Sequence, residues 1–502
     1  MSQQLDLLLI NPANRKQIYQ SLSTTMSAIE PPVWAGLMAT YIRNKGFSVD
    51  IIDMSAMDVT VTDVAQLVQE MKPRLVSIVV YGHQPSASTQ VMPGASAVCD
   101  AIKNLIPQQK VIMVGGHVAS LPRRSLEEES CDYVASGEGL LTQYQLLQAL
   151  QNHSPDLSKV VDLWYYDDDG HIQMNAPAPL LQNLNEEMRN IAWDLLPMDM
   201  YRAHNWHCLD DTMERQPYVA LYTTLGCPYH CSFCCIQAPF KSGERASGMK
   251  ASVNSYRFWK PEIVVDEIGF LVENYGIRNI KIADEMFVLN KRHVSAICNL
   301  IIDRGYDLNI WAYTRVDTVK DDMIDLMKNA GINWLAFGIE AANAKVRDEV
   351  QKGVAQEDIF AVIDKVRSGG INVIGNYIFG LPEDNETTMQ ETLDMAIELN
   401  TEFANFYSAM AYPGSPLYQT ALQEGWKLPD NWSGYSQHAV DTLPLPTKYL
   451  TGPEVLAFRD NAFHQYFEGD RYLNMVEAKF GEDTRQHIID MTAHRLERHF
   501  VS

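Results

Sequence analysis

Short apolar runs separated by helical patterns dominate the first 150 residues of the chain. Runs of this length and composition are typical of parallel strands buried on both faces. They are Leu7 to Ile10, Val49 to Ile52, Leu75 to Val80, Val111 to Val114 and Tyr133 to Ala135. Between the first two runs, apolar residues recur at helical spacing from Trp34 to Ile42, and Gly46 stands where such a helix would end. The pattern predicts a doubly wound α/β sheet over residues 1–150.

A second series of strand-like runs begins after residue 213. The six runs are Tyr218 to Tyr222, Ile280 to Ala283, Ile310 to Tyr313, Trp334 to Phe337, Ile374 to Phe379 and Phe406 to Met410. Helical patterns lie between them, so we expect a partial (β/α)6 barrel over residues 213–425. The polar stretch 151–212 is interpreted as a linker that contains a hairpin turn at Asp167 to Gly170. Residues 426–502 are expected to form a mainly helical segment.

Composition narrows the classes of function. The 502 residues carry a formal charge of -23, which disfavours a nucleic-acid partner because phosphate binding usually rests on clustered Lys and Arg. No apolar run reaches the roughly 18 residues that cross a bilayer, and the first residues lack the features of a signal peptide. We therefore expect a cytoplasmic protein without a membrane span. A small molecule or a carrier-bound group fits the charge better as substrate.

Three of the eight cysteines are crowded together in the segment Cys227-Pro-Tyr-His-Cys231-Ser-Phe-Cys234, directly after an apolar run. Three thiolates on one loop can hold three irons of a [4Fe-4S] cluster and leave the fourth iron without a protein ligand. A zinc site is the competing interpretation, but zinc sites usually pair CxxC units or add histidines, and the chain has no second pair. Cys235 is not expected to be a fourth ligand, although a thiol facing a substrate stays an alternative. Four further cysteines are interpreted as structural: Cys99, Cys131, Cys208 and Cys298.

The CxxxCxxC motif closely resembles that of the radical S-adenosylmethionine (SAM) superfamily, including the aromatic Phe233 before the last cysteine. That resemblance implies that the open iron of the cluster binds SAM and that Phe233 contacts its adenine. The segments IADEMFVLN, YTRVD and FGIEAAN resemble those of cobalamin-dependent members. By that likeness Glu285 meets the SAM amino group, while Arg315 and Glu340 reach its carboxylate and ribose. Arg and Glu at strand ends also pair with each other, so support of the wall stays an alternative role for Arg315 and Glu340.

The first domain resembles the cobalamin-binding domain that precedes many radical SAM domains. The likeness covers about 140 residues and includes LLLINP, VIMVGGHVASLP and YVASGEG. Ligands bind such sheets outside the carboxyl ends of the strands. The expected cobalamin contacts in these loops are Asn11, Pro12, Gly82, Gly115, Gly116, Gly137 and Glu138. The loop after the first strand reads NPANRKQ instead of the DxHxxG of some cobalamin proteins, which implies a cobalamin without a histidine on its lower face.

Together these resemblances imply an enzyme with a [4Fe-4S] cluster, SAM and cobalamin as cofactors. The first hypothesis is a methyltransferase that acts on an unactivated carbon or a phosphinate, supplied with electrons by an external reductant such as flavodoxin or ferredoxin. The second is a cyclase or rearrangement enzyme of the anaerobic Mg-protoporphyrin monomethyl ester cyclase type, without methyl transfer. A non-catalytic cluster or cobalamin sensor is the third. No catalytic residue can be named from the sequence.

Overall fold

A computed structural model describes residues 4–13, 15–23, 28–204, 215–351 and 356–501. Its first sheet has seven strands in the order β2-β1-β3-β4-β5-β6-β7, and the first five strands of the chain pair in parallel. These strands are β1 (Leu7–Asn11), β2 (Val49–Asp53), β3 (Leu75–Val80), β4 (Val111–Gly115), β5 (Tyr133–Ala135), β6 (Leu163–Tyr166) and β7 (Ile172–Met174). The expected doubly wound sheet is thereby confirmed.

Helices cover both faces of this sheet, and two separate apolar clusters lie above and below it. The helices are α1 (Arg15–Tyr19), α2 (Val33–Asn44), α3 (Met54–Met57), α4 (Val61–Met71), α5 (Ala87–Gln90), α6 (Met92–Leu105), α7 (Gly116–Ser120), α8 (Pro122–Glu128), α9 (Leu140–Ala149) and α10 (Leu184–Glu187). β6 and β7 are antiparallel and come from the segment interpreted as a linker, with the turn at Asp167 to Gly170 between them. The sheet of the first domain therefore continues to residue 174.

The second sheet has six parallel strands in the order β15-β14-β13-β12-β11-β8 and curls into a half-barrel with β8 and β15 at its edges. A short antiparallel pair, β9 and β10, lies beside it. The strands are β8 (Tyr218–Leu221), β9 (Thr224–Gly226), β10 (Tyr256–Phe258), β11 (Asn279–Ile282), β12 (Asn309–Arg315), β13 (Ile332–Glu340), β14 (Asn372–Phe379) and β15 (Phe403–Ser408). The predicted barrel strands are all present, although β15 begins three residues before the predicted Phe406.

Helices surround the half-barrel, and three more follow it. They are α11 (Lys241–Ala246), α12 (Pro261–Tyr275), α13 (Lys291–Arg304), α14 (Asp321–Asn329), α15 (Ala344–Glu349), α16 (Gln356–Ser368), α17 (Glu386–Leu399), α18 (Pro416–Glu424), α19 (Gly452–Phe467), α20 (Asp470–Phe480) and α21 (Glu482–Ala493). The last three form the expected helical C-terminal segment, which packs on β14 and β15. Among the described residues, we find no helix with the length and apolar character of a membrane span.

Candidate active site

The three clustered cysteines lie on the loop between β9 and α11, at the rim where the strands of the half-barrel end. The loop begins at Gly226, whose φ of 86° lies in the left-handed region. A Cβ at this position would lie 2.3 Å from the carbonyl oxygen of Ser255, so only glycine fits without moving the backbone. The sequence thus turns the chain sharply into the cysteine loop.

Buried polar contacts fix the shape of this loop. The backbone N–H of Cys227 donates to Oε1 of Gln237 at 3.0 Å, and Nε2 of Gln237 donates to Glu244 at 2.6 Å. Nδ2 of Asn254 donates to the carbonyl oxygen of Tyr229 at 2.6 Å. The bond between Cys227 and Gln237 joins the two ends of the loop, and the bond from Asn254 joins its middle to the segment before β10. Together they hold the three cysteines in a fixed arrangement.

The three thiols form no disulfide, and their spacing suits a cluster better than a single zinc ion. None of Cys227, Cys231 and Cys234 is in a disulfide, and their three sulfurs, all described, do not lie within 4.8 Å of one another. A tetrahedral zinc ion with Zn–S bonds of about 2.3 Å would require sulfurs about 3.8 Å apart. Burial, and then the nearby Glu285 carboxylate, raise the pKa of the Cys234 thiol. A bound metal is what would offset that burial and favour the thiolate.

Arg315, at the end of β12, contacts the cysteine loop. Its guanidinium lies 4.1 Å from the ring centre of Tyr229 and pairs with Asp317 through bonds of 3.0 and 3.1 Å. The residue is 5% exposed, and its Nη1 atom is buried without a hydrogen-bond partner among the described residues. A buried guanidinium N–H of this kind is suited to a ligand carboxylate. This orphaned donor fits the expected contact with SAM.

The other expected SAM contacts also lie around this rim. Glu285 follows β11 and is close enough to raise the pKa of both Cys234 and Cys235. Glu340 ends β13 with a φ of 67°, a left-handed backbone conformation that is strained for a glutamate. Residues with such strained backbone conformations are often found at functional sites. Phe233 packs against two small apolar clusters.

Asp284 connects two segments of the half-barrel rim through hydrogen bonds. Its carboxylate, 1% exposed, accepts from the backbone N–H of Thr223 at 2.6 Å, from the Thr223 hydroxyl at 2.5 Å and from the N–H of Thr224 at 3.1 Å. Burial raises the pKa of Asp284 to about 6, although the bonds from Thr223 and Thr224 lower it. The carboxylate ties the end of β11 to the strand that leads into the cysteine loop, a role that sequence reasoning had not assigned.

A cavity of about 610 Å³ lies between the first domain, the half-barrel and the C-terminal helices. Three expected cobalamin contacts, Asn11, Pro12 and Gly82, line it from the carboxyl ends of β1 and β3. From the half-barrel, Lys281, Trp311, Tyr313, Asn405 and Tyr407 line the same space. The rim of the first sheet and the interior of the half-barrel thus face one cavity.

The remaining four expected cobalamin contacts are not among the residues that line this cavity. A Cβ on Gly115 would lie 1.9 Å from the carbonyl oxygen of Val80, and one on Gly137 would lie 2.2 Å from Asp162. Gly116 begins α7 beside Ser88. Glu138 is buried in an ion pair with Arg257, with Oε1 2.8 Å from Nη2. For these four positions the structure shows packing, and contact with cobalamin stays a prediction.

Glu30 and Lys281 join the two domains inside the cavity, and neither was found from the sequence. The Lys281 ammonium lies 3.0 Å from Oε1 of Glu30, which also accepts from the Tyr218 hydroxyl at 3.0 Å. Nδ1 of His83 lies 3.2 Å from the same oxygen. Burial alone would raise the pKa of Glu30, but His83 and Lys281 outweigh it and hold this pKa well below its usual value. Only the spacing of a lysine in an apolar strand could have pointed to this pair.

Other candidates from the sequence have plain structural surroundings. Cys99 and Cys298 are fully buried in the apolar clusters, and Cys131 packs against one of them. Cys208 lies outside the described residues. Ligand atoms of Asp167, Asp169 and His171 lie within 4.8 Å of one another at the hairpin turn, where the first residue is partly buried and the other two are exposed.

Comparison with known families decides the identity of both domains. Residues 221–396 match the family model described as the radical SAM superfamily, and residues 20–147 match the one described as the B12 binding domain. The chain is a radical SAM enzyme with a B12-binding domain. Its cofactors are accordingly a [4Fe-4S] cluster, SAM and cobalamin.

Curated relatives of this radical SAM enzyme differ in the reactions their names describe. An uncharacterized methyltransferase of Pyrococcus horikoshii is 28% identical over 464 residues, which are 92% of each chain. The anaerobic magnesium-protoporphyrin IX monomethyl ester cyclase of Rubrivivax gelatinosus is 24% identical and covers 80% of this chain and 68% of its own length. The relatives thus include both of the first two functions expected from the sequence.

Solved structures share the fold. The cobalamin-dependent SAM radical enzyme OxsB, with aqua-cobalamin and SAM bound, has a TM-score of 0.69 at 15% identity and covers 97% of this chain and 75% of its own. The radical SAM methyltransferase TsrM of Kitasatospora setae, with cobalamin and a [4Fe-4S] cluster bound, has a TM-score of 0.63 at 17% identity, covering 84% and 78%. At these identities the likeness establishes the arrangement of the fold.

Proposed function

We propose that this cobalamin-dependent radical SAM enzyme is a methyltransferase that acts on an unactivated carbon, or a phosphinate, of a small or carrier-bound substrate. The observation that carries the proposal is the single cavity lined both by Asn11, Pro12 and Gly82 and by the interior of the half-barrel. A methyl carrier on the first domain and a substrate in the half-barrel would share this space. Direct transfer between them requires that proximity.

Each group has residues that suit it. Cys227, Cys231 and Cys234 would hold the cluster. Arg315 would bind the SAM carboxylate through its buried Nη1, and Phe233, Glu285 and Glu340 would complete the SAM site. The expected cobalamin contacts would come from the rim of the first sheet, led by Asn11, Pro12 and Gly82.

The chemistry divides between cofactors and protein. The bound groups supply a methyl donor and, from SAM, a radical that removes hydrogen from the acceptor, while an external one-electron reductant such as flavodoxin or ferredoxin supplies electrons. The protein orients the partners and keeps water away from them. Trp311, Tyr313 and Tyr407 give the cavity an aromatic wall, and Asp284 fixes the rim that carries the cysteine loop.

Methyl transfer is favoured by the methyltransferase of Pyrococcus horikoshii, which matches 92% of the chain. A cyclase or rearrangement activity without methyl transfer is the second candidate, because the cyclase of Rubrivivax gelatinosus matches 80% of the chain. The two candidates differ in their SAM-derived products. Methyl transfer yields S-adenosylhomocysteine together with 5′-deoxyadenosine, whereas cyclisation yields no S-adenosylhomocysteine.

The test is anaerobic reconstitution with iron, sulfide and cobalamin, followed by mass spectrometry of products formed from SAM with a deuterated methyl group. We expect S-adenosylhomocysteine and 5′-deoxyadenosine in equal amounts once an acceptor is present, and a labelled methyl group on that acceptor. 5′-Deoxyadenosine without S-adenosylhomocysteine would favour the cyclase. Omission of cobalamin is the control and should abolish methyl transfer.

A further inference from the structure

We infer that the methyl acceptor carries an anionic group, a carboxylate or a phosphate, which Arg459 binds at the β15 side of the cavity. The inference deepens the proposed function and rests on it, because it assigns this anion to the acceptor. It comes from the charge balance and the hydrogen bonding of α19, which neither the family models nor the relatives describe.

Arg459 lies where α19 covers the open edge of the half-barrel. Its Nε atom donates to the carbonyl oxygen of Phe406 at 2.7 Å, which positions the guanidinium beside β15. The residue is 6% exposed and lines the cavity. The bond to an edge carbonyl therefore holds a buried cation facing the substrate space.

The charge of Arg459 is only partly balanced. Its Nη1 donates to Asp460 at 2.7 Å, but the same carboxylate accepts from Nε and Nη2 of Arg498 at 2.8 and 2.9 Å. Two guanidinium groups, both almost fully buried, thus share one carboxylate. An excess positive charge away from water is costly unless a counter-ion compensates it.

One face of the guanidinium is open to a ligand. Nη2 of Arg459 donates to no residue in the part of the chain that the structure describes. His438 lines the cavity nearby, and burial together with Arg459 and Arg498 lowers the pKa of its imidazole to about 3. A neutral imidazole adds a hydrogen-bonding group without adding charge. An oxyanion placed here would meet a buried cation and a neutral donor.

The rest of the cavity suits an apolar body attached to that anion. Trp311, Tyr313, Tyr407 and Phe463 line it, and Lys281 lies 4.9 Å from the ring centre of Trp311, already paired with Glu30. Aromatic side chains bury large apolar area in ligand pockets, while a few charged groups fix orientation. The structure thus favours an aromatic or otherwise apolar acid as acceptor.

The phosphodiester in the nucleotide tail of cobalamin is the other possible source of an anion. The expected corrinoid contacts Asn11, Pro12 and Gly82 belong to the first sheet, whereas Arg459 belongs to the C-terminal helices. We therefore assign the anion to the acceptor, and the experiment separates the two sources by comparing cobalamin with cobinamide, which lacks that phosphodiester.

The test measures binding to the cluster- and cobalamin-loaded protein. The probes are 2-naphthoate and its neutral analogue 2-naphthamide, followed by saturation-transfer NMR titration. We expect 2-naphthoate to bind about tenfold tighter than the amide, as a charge-assisted hydrogen bond predicts. Arg459→Gln should remove this preference. Asp460→Asn, which takes away the competing carboxylate, should tighten 2-naphthoate binding, a gain that a damaged fold would not produce.

Arg471→Gln is the matched control, because Arg471 also donates to a backbone carbonyl, that of Glu398, but does not line the cavity. It should leave probe binding unchanged. Equal affinity for the two probes, or a preference that survives Arg459→Gln, would overturn the inference. So would a loss of affinity in Arg459→Gln for cobalamin but not for cobinamide. Formation of S-adenosylhomocysteine together with 5′-deoxyadenosine tests the proposed function separately, since the inference concerns only the group that Arg459 binds.

Discussion

The rim of the half-barrel and the rim of the first sheet hold their predicted site residues in different ways. At the half-barrel, Arg315 stacks on Tyr229 of the cysteine loop and keeps a buried N–H without a partner. At the first sheet, Gly115 and Gly137 pack closely against neighbouring residues of the chain, and Glu138 forms an ion pair with Arg257. Unsatisfied donors and clustered thiols point to a ligand, whereas a glycine loop serves packing as readily as it serves a cofactor.

We expect the largest effect from a substitution that removes a cluster ligand at the rim of the half-barrel. Cys231→Ala should lose the cluster and lower formation of 5′-deoxyadenosine to background, because two thiolates cannot hold the three irons. Iron and sulfide analysis after reconstitution measures this. Cys235→Ala is the matched control and should keep the cluster. Retention of the cluster by Cys231→Ala and loss by Cys235→Ala would reverse the assignment of ligands.

We expect a smaller effect from a substitution of Glu138, which tests whether this residue at the rim of the first sheet serves packing. Glu138→Gln breaks a buried ion pair and leaves Arg257 without its counter-charge, which should reduce the free energy of unfolding by about 3 kcal/mol. Urea denaturation measures the change, and the double variant Glu138→Gln/Arg257→Met should lose less. Unchanged stability combined with lost corrinoid would show that Glu138 serves the cofactor instead.

The Glu30–Lys281 pair joins the two rims and should matter for their alignment. Lys281→Met leaves Glu30 partly buried without its cation, and we expect a loss of about 2 kcal/mol, less than for a fully buried pair because Glu30 is 30% exposed. A double-mutant cycle with Glu30→Gln measures the coupling. The ratio of methylated product to 5′-deoxyadenosine should also fall. Additive effects in the cycle would argue against a direct interaction.

Arg315→Gln should have the mildest effect. Loss of one charge-assisted bond predicts about tenfold weaker SAM binding with unchanged cluster content. Equilibrium dialysis with SAM measures this, and Arg278→Gln, an exposed arginine paired with Asp307, is the control. Unchanged SAM affinity in Arg315→Gln would leave the orphaned N–H without a ligand and give the residue a purely supporting role.

The strands and their order along the chain could be predicted because each run is apolar and bounded by turns. The start of β15 was predicted too late, because the polar Asn405 interrupts the apolar run. Phe403 and Ala404, which precede it, were therefore not assigned to the strand. The continuation of the first sheet through β6 and β7 was missed. Those strands are partly exposed, with Tyr166 and Met174 among the exposed apolar residues, so their pattern is typical of a peripheral hairpin.

Of the candidate site, the sequence identified what is local and missed what the fold brings together. The cysteine spacing sufficed for a cluster hypothesis, and the rim residues followed from the family resemblance. Glu30 and Lys281 are separated by 251 positions in the sequence. The role inferred for Arg459 depends on its contacts with Asp460 and with β15, and on the shared pairing of Asp460 with Arg498. Contacts between such distant segments leave no periodic signal in the sequence.

The central claim is that a corrinoid bound at the first sheet and the radical formed from SAM at the three-cysteine cluster act on the same substrate in this cavity. The most direct measurement is made on wild-type protein and Cys234→Ala, both purified anaerobically from cells supplied with cobalamin. Corrinoid content and formation of 5′-deoxyadenosine and S-adenosylhomocysteine are determined in the same samples. We predict that both proteins retain corrinoid and that only the wild type forms 5′-deoxyadenosine. A wild type that retains no corrinoid, or a Cys234→Ala variant that still forms 5′-deoxyadenosine, would contradict the claim.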